Sequence, residues 1–261
     1  MDLKLSGRSA LVTGGSKGIG LSVAQWLARE GVNVCLVARS AERLEQEAAA
    51  LRKKATGVTV RTLAADLADA AARDRVAAAI PDVDILVNNA GAIPGGSIDQ
   101  VDEPAWRAAW DLKVFGYIGL TRLYLQKMKA RRRGVIVNII GAGGERLDYG
   151  YIAGAAGNAG LMALTRALGG TSPEFGVRVV GVNPGPVATD RLEVLGRKRA
   201  ATLFGDADRW RETFADMPFG RPATCDEIAA TVAFLASDLC SYTSGTIVTI
   251  DGGLTHRSQL P

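Results

Sequence analysis

Three side chains near the middle of the sequence have the chemistry for acid–base catalysis. Lys113 interrupts the apolar run at residues 112–115, and a lysine in such surroundings is costly to bury unless it is paired or functional. Burial would also lower its pKa towards neutrality, which suits an amine to proton transfer. Tyr151 and Asn158 would share one helix face with Gly154, which lies between them. Lys113, Tyr151 and Asn158 are therefore the candidate catalytic residues.

A glycine-rich turn lies between an apolar run and a periodic helix near the N-terminus. Residues 9–13 are a predicted strand, residues 14–20 have the sequence GGSKGIG, and residues 21–30 are a predicted helix. Glycines let the backbone approach a pyrophosphate, and a helix N-terminus offers free N–H groups and the positive end of its dipole. This order of elements, followed by a second strand, predicts a dinucleotide-binding site.

The end of the second predicted strand, at residues 32–37, carries a cation where an acid would be needed for NAD. An acidic residue there would accept hydrogen bonds from the adenosine ribose, but the sequence continues Ala38-Arg39-Ser40. Arg39 can pair with the 2′-phosphate of NADP, and Lys17 in the glycine turn can supply a second cation. We therefore predict NADP(H) in preference to NAD(H). The alternative is that Arg39 only ends the strand in solvent.

Predicted strands and helices alternate along the whole sequence. The alternation predicts an α/β fold, a Rossmann-type doubly wound parallel sheet with helices on both faces, in a single domain over residues 1–261. The two long central helices are predicted at about 103–132 and 151–169. A polar, lid-like segment at about 190–217 would shape the substrate pocket. Ligands of such folds bind outside the carboxyl ends of the strands.

The composition argues against several other classes of function. The net charge of +4, from 31 basic and 27 acidic residues, is mild, and we expect no nucleic-acid partner. Cys35, Cys225 and Cys240 are far apart, so we expect no metal site and free thiols in a reducing cytoplasm. No apolar run of about 18 residues occurs, so we expect no membrane span. The single histidine, His256, lies near the C-terminus and makes a histidine-based triad improbable.

Several short motifs are spread over the full length of the sequence. They are Thr13-Gly14…Gly18-Ile19-Gly20, Asp66-Leu67, Asn88-Asn89-Ala90-Gly91, Asn183-Pro184-Gly185, Thr243-Ser244-Gly245 and Asp251-Gly252-Gly253. By these motifs the chain resembles the short-chain dehydrogenase/reductase family over essentially its whole length. The resemblance implies an oxidoreductase acting on a small molecule. It also implies a homo-oligomer, most commonly a homotetramer, assembled through the two long central helices.

The resemblance further implies which residues surround the cofactor. The glycine turn would surround the pyrophosphate, the third strand end would meet the adenine, and the fourth would line the ribose. The segment after the sixth strand would contact the nicotinamide carboxamide. In that order, and with Arg39 at the 2′-phosphate, the implied cofactor residues are Gly14, Ser16, Lys17, Gly18, Ile19, Gly20, Arg39, Asp66, Leu67, Asn89, Ala90, Gly91, Pro184, Gly185, Val187 and Thr189.

The catalytic positions depart from the family pattern. Where the family carries asparagine, serine, tyrosine and lysine, this sequence has Lys113, Gly141, Gly154 and Asn158. The lysine and asparagine are exchanged, so the same two functional groups come from opposite helices. We predict that Lys113 acts as the cation or proton donor, with Asn158 as its hydrogen-bond partner and positioning group. Tyr151 would supply the phenol, and Gly154 would leave the room that it needs to fold inward.

Three functions are compatible with the predicted cofactor site and the altered catalytic positions. The first is NADP(H)-dependent hydride transfer on a small carbonyl or alcohol with the altered acid–base set. The second is non-redox chemistry, of the lyase or isomerase type, using Lys113 with Glu145 or Asp148. The third is a catalytically silent, NADP-binding subunit of a hetero-oligomer.

Overall fold

A sheet of seven parallel strands forms the centre of the fold. The strands are β1 (Ser9–Thr13), β2 (Asn33–Ala38), β3 (Val60–Ala64), β4 (Ile85–Asn88), β5 (Gly134–Ile139), β6 (Val177–Pro184) and β7 (Ile247–Ile250). Their order is β3-β2-β1-β4-β5-β6-β7, which reverses between β1 and β4 as in a doubly wound sheet. The computed structural model describes residues 2–258, so residues 1 and 259–261 of the predicted domain lie outside the described part. The predicted α/β fold is confirmed.

The described residues contain eight α-helices, and those that pack against the sheet lie on both of its faces. The eight helices are α1 (Gly18–Arg29), α2 (Ala41–Lys54), α3 (Ala70–Ala79), α4 (Glu103–Trp110), α5 (Gly116–Ala130), α6 (Ile152–Thr171), α7 (Asp190–Phe204) and α8 (Cys225–Ala236). Successive strand residues point to opposite faces. In β1, Val12 therefore packs in the core beneath α1 and α8, whereas Leu11 packs in the core beneath α3 and α5. Because both faces are covered, the central strands β1, β4 and β5 are mostly apolar and buried.

The long helix predicted at 103–132 is interrupted in its middle. A π turn over Asp111–Phe115 separates α4 from α5. Hydrogen bonds in a π turn run from residue i to i+5, and such turns are frequent at functional sites. Lys113 is the central residue of this turn, so irregular backbone determines where its side chain leaves the helix.

The segment at 190–217 contains a helix that its polar composition does not reveal. Thr189 caps α7 by accepting a hydrogen bond from the N–H of Leu192 at 3.4 Å. The helix ends at Gly205, whose φ of 70° is left-handed. A 3-10 segment, Ala207–Phe214, then folds back onto α7. The lid role of this segment stays a prediction.

Within residues 2–258, no helix is both long and apolar enough to cross a membrane. The same residues bring no three His, Cys, Asp or Glu side chains together as a metal-binding group.

Candidate active site

The ends of β1 and β4 are joined by a set of short hydrogen bonds. The Thr13 hydroxyl donates to the carbonyl of Val87 at 3.2 Å and accepts from the N–H groups of Asn89 and Ala90 at 2.8 and 3.0 Å. The Asn89 amide donates to the Thr13 carbonyl at 2.8 Å. A side chain at Gly20 would overlap this amide. The glycine turn is therefore held against the end of β4, where the sheet order reverses.

The glycine turn has the geometry that an anionic group needs. Gly14 and Gly18 have φ values of 65° and 56°, in the region that other residues rarely adopt. Lys17 precedes α1 and provides no side-chain cap for its N–H groups. The first turn of α1 also contains no acidic residue. A helix start of this kind favours phosphate, so the residues present fit the pyrophosphate of a dinucleotide.

The sequence predicts Arg39 and Lys17 as the two cations beside the 2′-phosphate, whereas in the structure Lys17 lies beside an acid and Arg43 lies beside the glycine turn. Arg39 is exposed at the end of β2. Lys17, expected beside the same phosphate, has its Nζ 3.4 Å from Asp190 Oδ2 at the start of α7. Arg43, which the sequence analysis did not select, donates from Nε to the carbonyl of Ser16 at 3.1 Å. The only sequence signal for Arg43 is its place in the first turn of α2, three residues after the capping Ser40.

The remaining implied cofactor residues lie along the same edge of the sheet. Leu67 is buried and Asp66 exposed in the loop after β3. Gly185 follows β6 and donates its N–H to the carbonyl of Ile250 at 2.9 Å. Ile19 packs partly buried against the core, and Val187 pairs with Ala223 in an isolated bridge. The assignment of individual residues to parts of the cofactor stays a prediction.

Lys113 reaches from the π turn to the end of β5. Its ammonium donates a hydrogen bond to the carbonyl of Ile140. A side chain at Gly91 would come within 2.8 Å of Lys113 Cδ, so this glycine leaves the passage for the lysine. Burial, together with the nearby Arg191 guanidinium, lowers the pKa of Lys113 from 10.5 to about 7. A lysine in this state can give or accept a proton near neutral pH.

Tyr151 folds over Gly154, as the sequence analysis expected. A Cβ atom at residue 154 would overlap the Tyr151 ring, and one at Gly143 would lie 3.2 Å from it. Tyr151 itself precedes α6, with φ −139° and ψ 35°, so it stands one residue outside the helix predicted from 151. Burial raises the pKa of the Tyr151 phenol, while the positive charge of the nearby Arg191 opposes the rise. The phenol therefore stays protonated at neutral pH and is suited to donating a hydrogen bond.

Asn158 is almost fully buried, with 2% of its surface exposed. Its Oδ1 atom finds no hydrogen-bond partner among the described residues. Lys113 has no acceptor group of its own and donates to Ile140, so the predicted Lys113–Asn158 hydrogen bond is wrong. The physical reason is that the lysine passes Gly91 and meets the end of β5 before it reaches α6. Asn158 instead packs beside Gly141, whose added Cβ would be 3.1 Å from Nδ2.

Arg191, the second residue of α7, is the member of the site that sequence reasoning missed. Its guanidinium donates to the carbonyl of Ile93 and lies near enough to Tyr151 to act on the pKa of that phenol. These contacts join the start of α7 to the loop after β4 and to the N-terminus of α6. No family motif covers Arg191; its only sequence signal is its position two residues after Thr189.

The acidic residues of the loop before α6 are engaged elsewhere. Glu145 accepts a hydrogen bond from the Thr249 hydroxyl at 2.9 Å and lies 3.9 Å from Arg166. Asp148 is exposed and accepts from the N–H of Gly150 at 2.8 Å. The groups brought together around Gly141 and Gly154 are thus Lys113, Tyr151, Asn158 and Arg191.

Comparison with known proteins agrees with this architecture. The model of the short chain dehydrogenase family matches residues 8–200. The cis-4-hydroxycyclohexanecarboxylate dehydrogenase of Sinomonas cyclohexanicum is 36% identical over 254 residues, which are 95% of this chain and 96% of that protein. L-sorbose reductase of Gluconobacter frateurii, solved with NADPH and L-sorbose, has a TM-score of 0.91 at 31% identity, over 99% of this chain and 100% of its own.

A further solved structure is similar over nearly all of its length. It is an NADPH-bound short-chain oxidoreductase of Pseudomonas aeruginosa PAO1 that contains an atypical catalytic center. Its TM-score is 0.86 at 30% identity, and the match covers 96% of this chain and 98% of that one. The family model and the relatives, together with the reversed strand order and the glycine turn, show that the chain belongs to the short-chain dehydrogenase family.

Proposed function

We propose that the protein is an NADP(H)-dependent oxidoreductase that interconverts a small carbonyl compound and its alcohol, with Lys113 as the proton donor and acceptor. The observation that carries this proposal is the Lys113 ammonium at the end of β5, with a pKa lowered to about 7. Gly141 and Gly154 have no side chain with which to donate a proton. Among the groups beside them, Lys113 is the one whose pKa matches the working range of a general acid–base catalyst.

The cofactor assignment rests on the cations at the end of β2 and on similar solved structures. Arg39 carries no competing acid beside it, and Arg43 lies over the glycine turn at Ser16. Both can pair with a 2′-phosphate. Similar structures are complexes with NADPH. When bound, the cofactor supplies or accepts the hydride.

The side chains of the pocket have separate roles in proton transfer and in holding the substrate. During reduction the Lys113 ammonium gives its proton to the carbonyl oxygen of the substrate, and during oxidation the neutral amine takes it back. Tyr151 donates a hydrogen bond that holds the substrate and stabilises negative charge on its oxygen. Asn158, through its unpaired Oδ1, accepts a hydrogen bond from the substrate and positions it.

The other two functions have less support. A lyase or isomerase would need a carboxylate beside Lys113, but Glu145 is bonded to Thr249 and Asp148 to Gly150. A silent NADP-binding subunit would have no use for a half-buried lysine, which is costly to keep in a retained fold. We also keep the proposal of a homotetramer, because Phe115 and Ile118 expose apolar surface, 50% and 37%, on the central helices. The cytoplasmic location stays a prediction.

The test is NADPH oxidation with a panel of carbonyl compounds, comparing Lys113→Met with the wild type. We expect turnover to fall by roughly a hundredfold or more, with the dissociation constant of NADPH unchanged. Lys127→Met is the matched control, because Lys127 also donates to a backbone carbonyl, that of Ala77 at 2.7 Å, away from the site. Full activity of Lys113→Met on a true substrate would refute the proposed role. NADPH binding without turnover of any compound would favour the silent subunit.

A further inference from the structure

Two cations of the site, Lys113 and Arg191, form no ion pair with an acid of the described residues. Lys113 passes Gly91 on its way to the carbonyl of Ile140, and Arg191 donates to the carbonyl of Ile93, two residues after Gly91. Among residues 2–258, Arg191 forms no ion pair: the neighbouring acids on α7 are taken, Asp190 by Lys17 at 3.4 Å and Glu193 by Arg197 at 2.9 Å. A positively charged pocket with unpaired cations attracts an anion.

We infer that the substrate carries a carboxylate and that Arg191, at the start of α7, binds it. This inference rests on the proposed function, since it assigns a chemical class to the compound that is reduced. The reacting carbonyl lies towards Lys113, and the carboxylate lies towards the loop that contains Ile93.

The contacts of Arg191 leave it free to take such a ligand. Its guanidinium has five N–H donors in a planar arrangement, and among the described residues its hydrogen-bond acceptor is the carbonyl of Ile93. A carboxylate accepts two parallel bonds from an arginine, and such charged bonds are roughly twice as strong as neutral ones. Tyr151 can donate to the same group.

The unpaired cations also explain why a neutral substrate would bind less well. The positive charges of the half-buried Lys113 and the exposed Arg191 repel each other, and among the described residues the acceptors that offset them are the backbone carbonyls of Ile140 and Ile93. A bound carboxylate relieves the repulsion, whereas a primary amide of the same shape does not. The pocket therefore discriminates by charge as well as by shape.

The experiment compares keto acids with their primary amides: acetoacetate, levulinate and 4-oxocyclohexanecarboxylate against acetoacetamide, levulinamide and 4-oxocyclohexanecarboxamide. For the wild type we expect kcat/KM to favour the acid by about tenfold to a hundredfold in at least one pair, the range of a charge-assisted hydrogen bond. Arg191→Gln should remove this preference and leave amide reduction within a few-fold. Arg199→Gln, an exposed residue of the same helix, should keep it.

Direct binding separates this inference from the proposed function. Calorimetric titration of the same acids into the NADP⁺-loaded protein should show binding that Arg191→Gln weakens by the same factor. Binding without turnover would overturn the reductase and leave the carboxylate site standing. Amides reduced as well as the acids, and equally by Arg191→Gln, would overturn the carboxylate site and leave the reductase standing. A tenfold loss of NADPH affinity in Arg191→Gln would assign Arg191 to the cofactor and also overturn it.

Discussion

The glycine turn and the Lys113 pocket lie at the same edge of the sheet, yet they differ in how their polar groups are satisfied. At the turn, Thr13 and Asn89 bond to each other and to the strand ends. In the pocket, Asn158 Oδ1 has no partner among the described residues, and Lys113 holds a single carbonyl. The hydrogen bonds of Thr13 and Asn89 are thus made within the scaffold, whereas the pocket leaves a buried acceptor without a partner among the described residues. Stability and reactivity should therefore respond to mutation at different places.

The largest expected effect is the pH dependence of stability that Lys113 introduces. The unfolded chain holds the lysine proton up to its ordinary pKa of 10.5, whereas the folded chain releases it above about 7. Between these values the unfolded state binds more protons, so the free energy of unfolding rises with pH, by up to about 1.4 kcal/mol per pH unit. Below pH 7 the cost of burying the charge is fully present.

Urea unfolding of the wild type and Lys113→Met across this pH window measures the effect. The methionine variant should lack the rise, and the two curves should converge as the pH increases. If the free energies of unfolding of the two proteins changed with pH in parallel, the Lys113 amine would not be buried as described. The contrast drawn between the glycine turn and the Lys113 pocket would then be wrong for the pocket.

The next effect is loss of stability at Thr13, without loss of chemistry. Thr13→Val leaves the N–H groups of Asn89 and Ala90 without their acceptor, and each unsatisfied buried donor costs about 1–3 kcal/mol. Thr13→Ser keeps the hydroxyl and should lose far less. Chemical denaturation gives the stability, and turnover at saturating NADPH should change little. A Thr13→Val protein that is as stable as Thr13→Ser would show that the Thr13 hydroxyl does not hold the glycine turn against the end of β4.

The preference for NADPH should depend on Arg39. Removing a charge-assisted bond to the 2′-phosphate costs about 1.5–3 kcal/mol, so Arg39→Ala should lower the affinity for NADPH about tenfold to a hundredfold and leave the affinity for NADH unchanged. Arg43→Ala should have a smaller effect in the same direction, since Arg43 also bonds to Ser16. Fluorescence titration with both cofactors measures this. Equal affinities in the wild type would refute the assignment.

The last prediction compares two glycine-to-alanine substitutions within α6. Gly154→Ala places a methyl group in the Tyr151 ring, and overpacking of this kind costs about 1–3 kcal/mol. Tyr151 must move, so turnover should fall as well. Gly160→Ala is the control, because a Cβ at residue 160 meets nothing within 4 Å. It should be neutral or slightly stabilising. Equal melting temperatures for both variants would mean that Tyr151 does not rest on Gly154.

Much of the scaffold follows from short-range pattern. The glycine turn, the alternation of strands and helices and the room that Gly154 makes for Tyr151 are all predictable, because they depend on residue type and on neighbours close in sequence. The partner of Lys113 is not: whether its amine meets Asn158 or Ile140 depends on a difference of a few ångströms between α6 and the end of β5. Arg191 is hidden for a similar reason, since its partners, Ile93 and Tyr151, are distant in sequence.

The π turn between α4 and α5 changes the phase of one continuous helical segment. Because the turn holds about one residue more than a turn of α-helix, the faces before and after it are offset by roughly 100°. Trp110, before the turn, donates to the carbonyl of Ala153 at 2.9 Å, and Tyr117, after it, donates to that of Ile139 at 2.9 Å. The face before the turn is thus hydrogen-bonded to α6, and the face after the turn is hydrogen-bonded to the sheet. Lys113 lies in the π turn itself, where the phase changes. Its side chain therefore belongs to neither packed face and can point into the pocket between them.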